Sequence, residues 1–114
     1  MKKYFLEEKD IESIIEGKGA CIATDRIVVD GEKVRFMYRE EPHGKEDSGW
    51  CFMAGDEDEE YMDEPANHGV YDINTIANYD RDIIPLLDAP VGAAFERETE
   101  DSEFQKIEFE APED

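Results

Sequence analysis

Short apolar runs alternate with long polar stretches along this chain, and the spacing within each run predicts its elements. Over residues 7–16, Ile11, Ile14 and Ile15 share one face at the i, i+3, i+4 spacing, preceded by Leu6 or Phe5. That pattern predicts a short amphipathic helix, stopped by Gly17 and Gly19. Residues 20–23 and 27–29 read as β, and Asp30-Gly31 before the run 34–39 reads as a tight hairpin turn. In that last run Val34, Phe36 and Tyr38 share one face and Arg35, Met37 and Arg39 the other. The second face is half polar, which suits solvent or a binding surface. Residues 41–49 carry loop chemistry, and Trp50-Cys51-Phe52-Met53-Ala54, apolar on both faces, predicts a central strand ended by Gly55.

Further on, Asp72 is placed to cap a short helix over 73–79, and Asp80 or Asp82 a second one through Leu87, with Pro85 tolerable only in its first turn. Pro90 and Gly92 close that unit. Residues 93–97 and 104–109 read as two more strands, the last alternating Ile107 and Phe109 with Lys106, Glu108 and Glu110. The expected fold is α+β: a mostly antiparallel sheet packed with two or three short helices. It forms a single domain over 1–114, with 111–114 a frayed tail. No internal repeat or linker interrupts it.

Composition changes this picture in one respect. The 114 residues hold 32 acidic and 12 basic side chains, a formal charge of −20. Such a charge argues against binding nucleic-acid phosphates or an anionic membrane. No apolar run approaches the roughly 20 residues of a membrane span, and the N-terminus lacks the apolar stretch of a signal peptide, so the expected compartment is the cytoplasm. High charge with a mean hydropathy of −0.72 leans toward disorder. Six Phe, five Tyr and one Trp, set in dense apolar runs, favour a folded chain.

The acid is also uneven. Residues 1–38 carry 8 acidic and 7 basic side chains, whereas residues 39–114 carry 24 and 5. Seven acids fall among the nine residues 56–64, and nine more over 96–114. Crowding like charges costs stability by self-repulsion, so a basic protein partner is the natural alternative to mere solubility. Asp56, Glu57, Asp58, Glu59 and Glu60, with Tyr61 as an aromatic anchor, are the expected partner-binding residues.

Other chemistry is weakly signalled. His43, Asp47 and Ser48 are the residue types of a hydrolytic triad but lie almost consecutively in one loop, where a turn aiming Trp50 inward is the simpler reading. Cys21 and Cys51 lack the close pairing of a zinc site and read as buried reduced thiols. The acidic run has no glycine at the sixth position of a calcium loop, leaving only weak divalent binding. His43 and His68 read as isolated surface loop residues. No catalytic residue, metal ligand or cofactor is expected.

The middle of the chain resembles a known family. The carriers are residues 34–42 (VRFMYREEP), 47–55 (DSGWCFMAG), 57–63 (EDEEYMD) and 71–80 (YDINTIANYD). They are similar to the domain-of-unknown-function 2185 family, which overlaps the immunity protein 33 family of bacterial polymorphic toxin systems. The resemblance covers about residues 20–97. It implies a modest α+β fold and neutralisation of a toxin by direct binding, and brings no catalytic residues. The signature positions Arg39, Asp47, Ser48, Trp50 and Asn74, with Glu57 and Tyr61, are either a site or a structural set, and Arg39 is a candidate to clamp the loop through Asp47. The expected function is thus a noncatalytic immunity-type protein that binds a basic toxin domain. The alternatives are a housekeeping or regulatory binding module and, further off, a divalent-metal-dependent enzyme.

Overall fold

The computed structural model describes residues 2–108. Its strands are β1 (Ala20–Thr24), β2 (Phe36–Arg39), β3 (Asp47–Met53), β4 (His68–Asp72), β5 (Ala94–Glu96) and β6 (Gln105–Ile107). They form one sheet in the order β4-β1-β3-β2-β5-β6. Only the β1–β3 pair is parallel; every other neighbouring pair is antiparallel. Three short helices, α1 (Asp25–Val28), α2 (Glu59–Asp63) and α3 (Ile73–Tyr79), and 3-10 segments at Glu8–Asp10, Pro65–Asn67 and Arg81–Leu86 complete the described residues. The architecture is α+β, as the sequence predicts.

β3 is central because it is apolar on both faces: residues 48–52 are buried throughout. Trp50 and Phe52 join Cys21, Ala23 and Met37 on one face, beneath Ile27 and Val28 of α1, Ile73, Ile76 and Tyr79 of α3, and Ile83 and Leu87. Cys51 faces the other way with Tyr38 and Ala94. The half-polar face of β2 is therefore the core face. Met37 enters the main core, and Arg39 lies over the Trp50 ring at 5.7 Å. Val34, expected beside Phe36, instead joins Met37's cluster from a position before the strand begins.

Three further expectations are corrected. Residues 7–16 hold only the Glu8–Asp10 turn. The β-branched isoleucines favour a helix slightly less than straight-chain residues do, and α3 offers the segment better bonds. Asn74 Oδ1 accepts from Ile14 N (2.8 Å) and Ile15 N (3.1 Å), while Asn74 and Asn78 both donate to Glu12 O. Residues 27–28 are helical, and Asp30-Gly31 closes α1 instead of a hairpin: Gly31, at φ 79°, donates to Ile27 O. A Cβ there would also meet the Phe5 ring at 2.6 Å. Pro85 sits beyond the first turn, in a 3-10 segment instead of an α-helix. The helix over 73–79 starts as expected, with Asp72 accepting from Asn74 N. The expected tail at 111–114, like Phe109 and Glu110, lies outside the described residues.

One buried ion pair joins the sheet to its helical cover. Arg97 Nη2 meets Asp80 Oδ2 at 2.5 Å, each side chain only 2% exposed. Asp80 also accepts from Val34 N (3.0 Å) and Asp82 N (3.0 Å), starting the Arg81–Leu86 segment. Arg97 donates to Val34 O (2.9 Å) and Asp82 (2.9 Å), and its guanidinium lies 4.3 Å from the Phe104 ring centre. Removing one member of such a pair strands the other as a buried charge. Arg97→Met is expected to cost about 3–5 kcal/mol in urea unfolding. Asp82→Asn, on the 65%-exposed partner, is expected to cost less than about 1 kcal/mol.

Candidate partner-binding surface

The acidic run 56–64 leaves the end of β3 and passes through α2 to the Pro65–Asn67 turn. Its first three acids are engaged internally. Asp56 takes a two-pronged contact from Arg26, with Nε at 3.0 Å and Nη2 at 2.6 Å, and this guanidinium holds its carboxyl below the usual range. Glu57 folds back onto its own loop, accepting from Ala54 N and Gly55 N at 2.8 Å each and from Thr24 Oγ1 at 2.5 Å. Asp58 caps α2 by accepting from Tyr61 N at 2.7 Å.

Glu59 and Glu60 are different. They are exposed in the first turn of α2, a helix that buries none of its residues. Asp63 and Glu64 are also exposed, and Glu64 accepts from Ala66 N. Tyr61 is half-buried, and its hydroxyl is pushed up in pKa by burial and by Asp25. The six residues expected from sequence thus stay together in space but divide into two sets. Asp56, Glu57 and Asp58 hold the loop; Glu59 and Glu60 face solvent beside Tyr61.

Most family-signature positions form a second cluster, around the loop that enters β3. Arg39 does not clamp Asp47. It donates to two carbonyls, Ser48 O (2.8 Å) and Ala89 O (2.7 Å), and covers Trp50. Asp47 instead accepts from His43 N (2.8 Å) and Gly49 N (2.9 Å), while Ser48 Oγ donates to Ala20 O (2.6 Å) and accepts from Trp50 N (3.1 Å). These bonds make the turn that aims Trp50 into the core, where its indole N–H donates to Leu87 O (3.1 Å). Gly49, at φ 86°, is required there, because a Cβ would lie 2.1 Å from Glu40 O. Asn74 works elsewhere, pinning the N-terminal segment.

Both cysteines are free and buried, and burial pushes the Cys51 thiol up to about 12 and Cys21 higher still. His68 is not a loop residue: it opens β4, a strand the hydrophobic pattern does not reveal because Gly69 interrupts a run of only five residues. Among the described residues, no group of three or more His, Cys, Asp or Glu is arranged to hold a metal ion, and no helix is long and apolar enough to cross a membrane.

The described residues thus combine a mixed sheet, polar clusters that mostly fasten loops, and exposed carboxylates on the short helix α2. Residues 21–108 match the Immunity protein Imm33 domain, and the chain belongs to that family. The match runs past the resemblance read from sequence, taking in β6. Immunity families are generally noncatalytic, and membership implies a protein toxin as partner. No curated protein and no solved structure matches the chain.

The split within the acidic run is measurable. Glu57→Ala, which leaves two backbone N–H groups and a buried threonine hydroxyl without their acceptor, is expected to lower unfolding free energy by about 1–3 kcal/mol. Glu59→Ala and Glu60→Ala should each stay within about 0.5 kcal/mol in the same assay. Neither thiol should react with a disulfide reagent at pH 8 in the folded chain, and both should react once urea unfolds it. Rapid labelling of Cys51 in the native state would contradict its burial.

Proposed function

We propose that this chain is a noncatalytic immunity protein that acts in the cytoplasm as a single domain, neutralising a cognate toxin by direct binding through its acidic surface. The observation that carries this reading is the Imm33 match over residues 21–108. The partner is a basic toxin domain, because complementary potential speeds encounter and selects against wrong partners. Within the run, Glu59 and Glu60 are the direct contacts, with Tyr61 as the aromatic group beside them. Asp56, Glu57 and Asp58 act by holding α2 in place. For a toxin that attacks nucleic acid, this carboxylate array would occupy a cleft made for phosphates.

The test is rescue. The chain is co-expressed with each candidate toxin domain encoded near its gene, growth is scored, and affinity for the one it neutralises is measured by calorimetry with an inactive toxin variant. Wild-type chain should restore growth. Glu59→Lys with Glu60→Lys should weaken binding by about tenfold or more while leaving the melting temperature unchanged, with the loss concentrated in the association rate and reduced by added salt. Wild-type affinity in the double variant would remove the acidic-surface mechanism, and failure of the wild-type chain to rescue would remove the immunity role.

A further inference from the structure

β4 is one edge of the sheet, and the bonding parity of its neighbour shows which of its groups are unengaged. Ile73 N–H donates to Gly19 O, and Ala20 N–H donates to Glu46 O. Odd-numbered residues of β1 therefore bond toward β4, and even-numbered ones toward β3. Cys21 stands opposite Tyr71, and Ala23 opposite Gly69. The main-chain groups of Gly69 and Tyr71 are thus taken by β1, and those of His68, Val70 and Asp72 point outward.

At His68 both outward groups are occupied: the N–H donates to Pro65 O, and the carbonyl accepts from Lys2 Nζ at 3.3 Å. Asp72 turns into α3 as its cap. Val70 is left between them. Its outward N–H and C=O meet no partner among the described residues, and its side chain is 72% exposed. Sheet edges are ordinarily blunted by lysine, proline or a bulge, because unpaired strand groups template another strand. Residues 69–71 carry none of these.

The surroundings say what kind of segment fits. The chain reaches β4 from α2 through the Pro65–Asn67 turn, and Glu59, Glu60, Asp63 and Glu64 before that turn are all exposed. Beside Val70 lies a concavity of ≈ 590 Å³ lined by Glu46, Asp72 and Tyr71 together with Lys45, two carboxylates to one ammonium. We propose that β4 is the attachment edge for the partner: an extended, basic segment of the toxin domain adds alongside Val70, and its cationic side chains face the α2 acids and Asp72. Main-chain bonds then give affinity and the flanking charges give selectivity. A second copy of this chain fits less well, since pairing two β4 edges brings two bodies of formal charge −20 together. This proposal rests on the toxin-binding reading above.

The test uses the full chain and an inactive variant of the toxin domain that the rescue assay identifies. Amide exchange of the free chain should show Val70 exchanging fast while Cys21 and Tyr71 are protected, and Val70 should gain protection on complex formation. Val70→Pro removes the outward N–H and obstructs strand addition, so it should weaken binding by about thirtyfold or more, the weight of two backbone hydrogen bonds. Val70→Thr keeps the backbone donor and should stay within about threefold. Should Val70→Pro fail to fold, exchange in the wild-type complex decides alone. Binding by wild-type chain without protection at Val70 overturns the edge while leaving the immunity role standing, and absence of any wild-type complex overturns both. Sedimentation of the free chain as a dimer that Val70→Pro dissociates overturns the choice of partner.

Discussion

Arg97 and Asp80 meet in a place that water hardly reaches, and most of the architecture is arranged so that neither stands alone. Asp80 ends α3, starts the following 3-10 segment and receives the amide of Val34. Arg97 follows β5 and takes the carbonyl of that same Val34. The pair therefore sets the distance between the helical cover and the sheet, and it does so through charge-assisted bonds that tolerate little displacement. Phe104 covers the guanidinium and carries the chain on toward β6. With the cover fixed in this way, Ile76, Ile83 and Leu87 pack on Trp50 and Phe52 in one contiguous core.

Much of the sheet was legible because its strongest strand announces itself. Five apolar residues at 50–54 can only be central, and the structure puts β3 between β1 and β2. The helix at Ile73–Tyr79 was equally readable, since Asp72 is both a good cap and the residue just before an apolar spacing. What misled was local pattern lacking its tertiary partner. The isoleucines at 11, 14 and 15 have helical spacing, but two asparagines of α3 offer their backbone a different set of bonds. Asp30-Gly31 has the chemistry of a hairpin, yet a left-handed glycine serves a helix end equally well. Arg97 was missed because its only sequence signal is one basic residue at the end of a strand; its carboxylate lies 17 positions back.

The candidate surface shows a similar division. Sequence located the acids but could not separate those with partners from those without. The distinction depends on Arg26, Thr24 and two amides at the end of β3, which reach the run only through the fold. Likewise, Arg39 looked like an ion-pair former and proves to be a carbonyl donor that bridges the β3 entrance to Ala89. Formal charge overstates what the surface shows: part of the −20 lies in contacts within the chain, and exposed carboxylates remain both on α2, which contributes nothing to the core, and along residues 96–108.

The position of Arg97 along the chain bears on how the protein comes into being. Synthesis runs from the N-terminus, so β1, β2, β3 and the whole helical cover emerge before the one cation that neutralises Asp80. Until Arg97 arrives, Asp80 cannot be buried without a severe penalty, and the cover cannot settle on the sheet. The β1–β3 pair likewise joins strands more than twenty residues apart in the chain, a non-local contact of the kind that forms slowly. Docking of the helical cover therefore depends on a residue that follows the whole of that cover in the chain. A chain lacking β5 and Arg97 would leave the buried Asp80 without its cation.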